Sequence, residues 1–332
     1  MNYIKIKEKI ENKRNCNHFF WKITIFIKDF IWFFFIFIPI KILNFIDQNF
    51  LPDILSVYIN YCLIFKKKLN LKNPQTFNEK LHWKKLYDKK EIYTICSDKD
   101  EARNFVEKKI GGRYLIPLIF KTNNPEQIDF SNLKKPYVIK SNHASEQILF
   151  VFKDDKIIKK NIIKQCKKWL NCKYSKINRE WPYKNITPKI LIEEMLLDEN
   201  NKIPTDYKFH CFGGKVEMIQ VDIGRFNVHK RSFFDKNWEL LPFQFCPEKN
   251  KKPEYKVEKN IKEPKNLGDM IKISEKLSEN FDYVRIDLYN ISGKIYFGEF
   301  TFFHGAGYQK FFPEKYDLYF GNILKINNEK QS

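Results

Sequence analysis

The sequence predicts an α+β fold over residues 69–332. Paired strand-like segments, rich in β-branched and aromatic residues and joined by short polar or glycine-containing turns, occur at 136–152, 206–225 and 282–302. Helical patterns of apolar residues lie between the strands, as at Leu267–Glu279. No internal repeat is visible in the sequence. These observations indicate an α+β region, built as one multi-lobed domain or as two domains, preceded by a different region at residues 1–68.

The composition favours anionic partners. The chain has 60 Lys and Arg against 40 Asp and Glu, which gives a formal net charge of +20. Most of the basic residues are lysine, and there is neither an arginine-rich stripe nor a recognisable nucleic-acid-binding module, so we expect no nucleic-acid partner. The charge instead favours nucleotide phosphates, acidic sugars or an anionic membrane face.

The cysteines and the N-terminus indicate the compartment. The seven cysteines are scattered and lack CxxC spacing, which argues against a zinc site and against a disulfide framework. The first twenty residues are polar and basic, and no small-residue cleavage site follows the apolar run, so we expect no cleaved signal peptide. We therefore expect a cytoplasmic protein, peripheral to the inner face of the cell membrane.

The region 1–68 is basic and then strongly apolar. Its most apolar part is residues 21–46, but the uninterrupted run Phe30–Ile40 is too short to span a bilayer. A longer span would bury Lys28 and Asp29, which is costly. An interfacial helix on an anionic membrane and a helix docked on the domain fit the pattern equally well, and a full span fits less well.

Two helices are predicted next. The segment 71–86 has the pattern of a loop followed by a helix, with Thr76 and Glu79 spaced as a capping box. A second helix begins after Ser97-Asp98, and there Lys99 and Arg103 lie one turn apart on one face. These two side chains are placed to reach a substrate or phosphate, although a capped surface helix explains the pattern equally well.

The hairpin at 136–152 has a polar loop. The strands Pro136–Lys140 and Ile148–Phe152 flank the sequence SNHASEQ, which contains His143 and Ser145. A lysine at the end of a strand is a flexible point charge suited to phosphate. His143 is either a phosphate donor or a loop residue without a role.

The middle of the chain contains a helical stretch, a strand and a hairpin. Residues 152–183 are expected to be mostly helical, and 189–196 is expected to be a strand that ends in Glu193 and Glu194. A clear hairpin follows at 206–225 around Gly213-Gly214. From the pattern alone, the paired acids could equally be a solvated strand end, and the Asp206–Lys208 pair could be a surface pair.

The last hairpin brings carboxylates together. We expect strands at Asp282–Asn290 and Lys294–Phe302. A three-residue loop with Gly293 in the left-handed conformation pairs Asn290 with Lys294 and puts Arg285 opposite Glu299. Asp287, Glu299 and Thr301 then share one face, whereas a two-residue loop would separate the two carboxylates.

Converging carboxylates need a compensating cation. Arg285 supplies one positive charge, and Mg²⁺ held by one or two carboxylates plus substrate phosphates is the other solution. The alternative is an exposed hairpin with a surface Arg–Glu pair, which is common.

Several motifs resemble one family. V-R-I-D-L-Y, Y-F-G-E-F-T-F and G-A-G near the C-terminus are similar to the metal-binding end of the TupA-like ATP-grasp family, which is named for teichuronopeptide biosynthesis. N-P-x-T-F-N-E-K and D-K-x-x-x-R further upstream also resemble elements of this family. The resemblance covers residues 69–321 and implies an ATP-grasp fold, with the nucleotide between two α+β lobes.

The resemblance also implies a set of site residues. The metal ligands for Mg²⁺ would be Asp287 and Glu299, with Thr301 at a third position where the broader superfamily often has Asn. The ATP-binding residues would be Lys140 on the α- and β-phosphates, His143 and Ser145 in the phosphate loop, Glu193, Glu194 and Leu196 at the hinge beside adenine, Asp206 at the ribose, and Lys208. The loop has Ala144 and Glu146 where the family usually has glycines.

The activity implied by the resemblance is that of an ATP- and Mg²⁺-dependent carboxylate–amine (or similar nucleophile) ligase. Arg285 would stabilise the transferred phosphoryl group, and the substrates would be an acidic sugar or an amino acid in cell-surface polysaccharide or capsule synthesis. Two other classes remain open. A glycosyltransferase or sugar kinase is one, although no D-x-D motif lies in the expected strand context. A catalytically silent, membrane-bound scaffold is the other.

Overall fold

A computed structural model describes residues 46–224 and 229–326. The predicted membrane-contacting segment 21–46, except its last residue, lies outside these residues, as does the end of the predicted hairpin 206–225. In the two described ranges, no helix is long and apolar enough to cross a bilayer. The described residues from Asp53 onward belong to one compact unit.

The first half of this unit contains helices and the strands of a small sheet. Its helices are α1 Asp53–Phe65, α2 Phe77–Tyr87, α3 Glu91–Ser97, α4 Glu101–Ile110, α5 Lys159–Leu170 and α6 Ser175–Asn178. Its strands are β1 Leu118–Thr122, β2 Tyr137–Ser141, β3 Ile148–Val151 and β4 Ile190–Glu194. Short 3₁₀ helices occur at Gly112–Tyr114, Pro125–Gln127 and Trp181–Asn185.

The second half contains most of the strands. These are β5 Asp206–Phe212, β6 Lys215–Ile223, β7 Lys230–Phe234, β8 Gln244–Cys246, β9 Glu248–Lys249, β10 Lys252–Pro253, β11 Tyr283–Ile291, β12 Lys294–Thr301 and β13 Lys310–Phe312. The helices are α7 Leu267–Ser278, the 3₁₀ helix His304–Gly307 and α8 Lys315–Ile323.

Two antiparallel sheets organise the unit, and the predicted α+β class is confirmed. The smaller sheet has the strand order β1-β4-β2-β3, and the larger has the order β12-β11-β5-β6-β7. An apolar core packs α4 and α7 against the larger sheet. A second core lies between α5 and the smaller sheet, where Tyr137, Ile139 and Ile192 are buried beside Trp169.

Several predicted elements form as expected. The Thr76 hydroxyl accepts the Glu79 N–H at 3.2 Å, and the Glu79 carboxylate accepts the Thr76 N–H at 3.1 Å, which completes the capping box. Strands β5 and β6 turn at Gly213-Gly214, where both glycines have positive φ. The stretch 152–183 is mostly helical, as expected: after a turn at Phe152, whose N–H donates to Asp155, it contains α5, α6 and the start of the 3₁₀ helix Trp181–Asn185.

The turn between β11 and β12 differs from the prediction. It has two residues rather than three, and Ile291 pairs with Lys294. Ser292 and Gly293 both have positive φ, 49° and 89°, as a two-residue turn of the primed type requires. The predicted pairing of Asn290 with Lys294 is therefore wrong.

A β-bulge restores the shared face of the two carboxylates. The register shifts by one residue at Gly298, so Asp287 pairs directly with Glu299, and Arg285 lies opposite Thr301 rather than Glu299. A Cβ at Gly298 would lie 3.1 Å from the Asp287 carbonyl oxygen, so the close approach favours glycine. The two-residue turn alone would have separated the carboxylates.

Candidate active site

The larger sheet holds a buried group of charged side chains. The pairing of β5 with β11 puts Lys208 opposite Asp287, and the Lys208 ammonium donates to Asp287 Oδ2 at 2.7 Å and also to Asp206. Arg285 donates to the same carboxylate through Nε at 2.6 Å and Nη2 at 2.7 Å. All four residues are buried, so the alternatives of a surface Asp206–Lys208 pair and of an exposed hairpin are wrong.

The two facing carboxylates differ in their surroundings. Burial opposes ionisation of Asp287, but the charges of Arg285 and Lys208 outweigh it and lower the pKa of this carboxyl. Glu299 is more open, with 32% of its side chain exposed. It lies 3.3 Å from Arg285 Nη2 and accepts the Thr301 hydroxyl at 3.4 Å. Asp287 is thus fixed in place, whereas Glu299 keeps acceptor positions directed at solvent.

His304, in the motif F-H-G-A-G, orients Arg285. Arg285 Nη1 donates to His304 Nδ1 at 2.8 Å, and His304 Nε2 donates to Gln309 Oε1 at 2.7 Å. Burial lowers the pKa of His304 far below its usual range, so the ring is neutral and can accept from Arg285. Arg231 donates to the same Gln309 oxygen at 3.1 Å and pairs with Asp222 at 2.7 Å. Sequence analysis missed this supporting network.

The smaller sheet contributes Lys140 and Glu193. Lys140 Nζ lies 2.6 Å from Glu193 Oε2, and Arg103 donates to Glu193 Oε1 at 3.2 Å. Glu193 is buried, whereas Glu194 points to the exposed side of the strand, so a solvated strand end describes only the second acid. Leu196 lies half-buried just past β4, close in sequence to the point where the Glu194 N–H donates to the Pro117 carbonyl.

Lys99 links the two sheets. Its ammonium donates to the Ala144 carbonyl at 2.7 Å and lies 3.7 Å from Glu299 Oε2, and its backbone N–H donates to Asn142. Burial lowers the pKa of Lys99. The sequence places Lys99 and Arg103 within reach of a substrate or phosphate, or on a capped surface helix, and the structure pairs them with Glu299 and Glu193. The motif D-K-x-x-x-R was the sequence signal that marked them.

The polar loop between β2 and β3 is anchored at its base and strained near its tip. His143 is buried, which lowers the pKa of its ring and keeps it neutral. The Ser145 hydroxyl lies 2.5 Å from the Tyr174 hydroxyl. Glu146 adopts a left-handed backbone with φ of 62°, the conformation that glycine adopts most readily. This loop therefore uses a glycine-like conformation without a glycine.

A buried Lys85 and a buried Glu180 lie behind the site. The Lys85 ammonium donates to the carbonyls of Asn178 at 3.0 Å and Ala306 at 2.6 Å. Burial lowers the pKa of Lys85 to about 8 and raises that of Glu180 to about 7. The charge of Glu299 also raises the pKa of Glu180, whereas that of Arg285 lowers it. Neither residue belongs to a motif that the sequence analysis singled out.

The charge balance and the carboxylate pair decide which ligands the site suits. The five basic side chains of the site are Lys99, Arg103, Lys140, Lys208 and Arg285, and the four acidic ones are Glu193, Asp206, Asp287 and Glu299. This difference leaves one net positive charge for an anionic ligand. Across the described ranges there is no group of three or more His, Cys, Asp or Glu side chains that could hold a metal alone. A pair of facing carboxylates does fit Mg²⁺, which commonly binds one or two carboxylates together with phosphates.

The two antiparallel sheets, with charged side chains linking them through Lys99, have the architecture of an ATP-grasp protein. The model of the TupA-like ATP-grasp family matches residues 79–325. The chain therefore belongs to the TupA-like ATP-grasp family, as the motifs predicted. No curated protein matches the chain.

Several solved ligases are similar to the chain. The D-alanine–D-alanine ligase from Bacillus anthracis is 18% identical with a TM-score of 0.38, and the match covers 62% of this chain and 57% of the ligase. The same enzyme complexed with ATP is 16% identical with a TM-score of 0.36, and the match covers 62% of this chain and 53% of the ligase. An L-amino acid ligase from Bacillus licheniformis is 12% identical with a TM-score of 0.42, and the match covers 85% of this chain and 63% of the ligase. The chain thus spans less than two thirds of the length of each of these ligases.

Proposed function

We propose that the protein is an ATP- and Mg²⁺-dependent ligase that activates a carboxylate as an acyl phosphate and joins it to an amine or similar nucleophile. The observation that carries the proposal is the arrangement around Asp287. This buried carboxylate is held between Arg285 and Lys208 and faces the more open Glu299. Membership of the TupA-like ATP-grasp family supports the same chemistry.

The basic side chains would bind the ATP phosphates. Lys140 and Lys99 lie on the side of the site nearest the polar loop, where Lys99 already contacts the Ala144 carbonyl. Lys140 would exchange its contact with Glu193 for the α- and β-phosphates, and Arg103 would keep Glu193 paired. His143 is buried and neutral, so its role would be to shape the loop, while Ser145 would be a loop donor.

The nucleoside would lie beside the smaller sheet. We assign Glu193, Glu194 and Leu196 to the hinge around adenine, where backbone groups at the end of β4 would provide the contacts. Asp206 would accept from the ribose hydroxyls. Lys208 would hold Asp206 and Asp287 in position, because it donates to both carboxylates.

The metal would lie between β11 and β12. Asp287 and Glu299 would hold Mg²⁺, with the Thr301 hydroxyl as a third neighbour that already contacts Glu299. When bound, Mg²⁺ would neutralise charge on the β- and γ-phosphates.

The reaction would proceed in two displacements. A substrate carboxylate oxygen attacks the γ-phosphorus, the bond from this phosphorus to the β-bridging oxygen breaks, and ADP leaves. The nucleophile then attacks the acyl carbon, inorganic phosphate leaves with the bonding electrons, and the amine loses a proton. Arg285 is fixed by Asp287 and His304, so its guanidinium is a preorganised positive charge for the transferred phosphoryl group.

The same proposal includes a setting. The resemblance to a family named for teichuronopeptide biosynthesis implies cell-surface polysaccharide or capsule synthesis, and a formal net charge of +20 suits an acidic sugar or an anionic membrane face. We propose that residues 1–68 form a membrane-associated region and 69–332 the ATP-grasp domain. The protein would act in the cytoplasm, at the inner face of the cell membrane.

Trapping of the acyl phosphate tests the reaction class. Incubation with ATP, Mg²⁺, hydroxylamine and candidate acidic sugars or amino acids should give a hydroxamate and ADP together. Arg285→Ala should slow the reaction by raising its activation free energy on the order of 3 kcal/mol, because the transferred group loses a fixed positive charge. The exposed Arg113→Ala is the matched control and should react normally. Sugar transfer from an activated nucleotide donor without ATP would contradict the proposal and favour a glycosyltransferase.

A further inference from the structure

The short, uncharged polar side chains of helix α1 face the domain, whereas a helix exposed to water normally directs its polar side chains to solvent. Between Asp53 and Lys66 the sequence has no charged residue. Ser56 is buried, accepts from Arg179 Nε at 3.2 Å and lies 3.5 Å from Asn60 Nδ2. The anchoring face is completed by Val57 and Tyr61, which pack in an apolar cluster with Leu69 and with Leu86 of α2.

The opposite face of α1 is apolar and exposed. Its large side chains recur at spacings of four residues and are between 36% and 47% exposed: Ile54, Leu55, Tyr58, Ile59 and Leu63. A surface helix normally directs charged or polar residues to solvent. A contiguous apolar patch of this kind marks a surface that binds another apolar phase.

The ends of α1 indicate what that phase is. Lys66, Lys67 and Lys68 follow the helix directly and are exposed, and Lys67 also pairs with Glu314. The apolar segment 21–46 ends seven residues before α1 begins, so a membrane contact there would hold the helix close to the same surface. A basic cluster beside an apolar helix face matches the requirements of an anionic lipid interface.

We infer that this exposed face of α1 lies on an anionic lipid bilayer. Leu55 and Ile59 lie at the centre of the side chains that enter the bilayer, and Lys66 and Lys68 contact the lipid headgroups. A second copy of the chain is the competing occupant. In a two-fold contact with parallel helices the two sets of lysines would lie together, and with antiparallel helices each set would meet the start of the other helix, whose one carboxylate, Asp53, already pairs with Arg179. The inference rests on the proposed membrane association of residues 1–68, which it assigns to one helix face, and it does not depend on the ligase chemistry.

A vesicle-binding comparison with the full chain tests the inference. Leu55→Gln/Ile59→Gln removes apolar surface that is already exposed, so the fold should persist, and partition onto vesicles of phosphatidylcholine with about one third phosphatidylserine should fall roughly tenfold. Leu240→Gln/Val257→Gln is the matched control, because these residues are similarly exposed elsewhere on the domain, and it should bind like the wild type.

Two further measurements decide the occupant. Lys66→Gln/Lys68→Gln should weaken binding to the anionic vesicles several-fold and leave binding to pure phosphatidylcholine unchanged. If the Leu55/Ile59 variant binds anionic vesicles like the wild type, the inference is overturned, even if segment 21–46 holds the chain on the membrane. Sedimentation that shows a vesicle-free dimer of the wild type, lost in the same variant, would also overturn it and assign the face to a second copy.

Discussion

The two facing carboxylates should respond very differently to loss of charge. Asp287 is 3% exposed and accepts from Arg285 twice and from Lys208 once. Asp287→Asn leaves two buried cations without their shared counter-charge. Removing one partner of a buried ion pair costs about 3–5 kcal/mol. Since Lys208 still pairs with Asp206, we expect the free energy of unfolding to fall by about 3 kcal/mol, the lower end of this range.

Glu299→Gln should cost much less stability. The Glu299 side chain is 32% exposed, and its nearest cationic contact is the 3.3 Å approach of Arg285 Nη2. Partly exposed pairs of this kind contribute about 1 kcal/mol or less. The two variants remove the same charge from adjacent, paired positions, so each is the control for the other.

Urea unfolding without nucleotide measures this difference. We expect the Asp287→Asn midpoint to fall clearly below that of the wild type and the Glu299→Gln midpoint to stay close to it. Both variants should lose ATP turnover, the first partly through instability and the second only through loss of metal binding. Equal losses of stability in the two variants would refute the asymmetry of their surroundings.

Three further predictions concern single side chains. Lys140→Met should weaken ATP binding more than adenosine binding, because the lysine meets phosphate, and equal weakening would indicate a structural role. Glu146→Gly should raise the free energy of unfolding by about 1 kcal/mol by relieving a left-handed backbone, and a thermal melt that moves downward would contradict this. Burial raises the pKa of Asp317 to about 6 from 3.8. The stability that the protonated Asp317 contributes to the fold is therefore complete below pH 4 and is lost as the pH rises through 6. Between pH 4 and pH 7 the wild type should therefore lose about 3 kcal/mol relative to Asp317→Asn, and parallel pH profiles of unfolding would disprove this.

The sequence predicted the strands of the last hairpin but not their register. A two-residue turn at Ser292-Gly293 and a bulge at Gly298 each shift the pairing by one residue, and the two shifts compensate for the face of Asp287 and Glu299. The shared face was therefore predicted through an incorrect loop length. A glycine inside a strand is a sign of a bulge, and Gly298 was the available signal.

Partners distant in sequence were the hardest to predict. Local patterns indicated the strands that carry Lys140 and Glu193 but not the 2.6 Å contact between the two side chains. The contact of Lys99 with Ala144, and the packing of Lys85 and Glu180 behind the site, depend on how separate elements assemble. Hydrophobic periodicity reports which face of an element is buried, and it carries no information about which polar groups then meet.

Calorimetric titration of ATP into the wild type, with Mg²⁺ and then with EDTA, tests the central claim most directly. The claim is that the paired carboxylates of β11 and β12, together with the surrounding lysines and Arg285, form a Mg²⁺–ATP site. It predicts saturable binding that weakens at least about tenfold without the metal, and a Glu299→Gln variant in which this metal dependence is largely lost. Equal ATP affinity with and without Mg²⁺ in the wild type, or no binding under either condition, would contradict it.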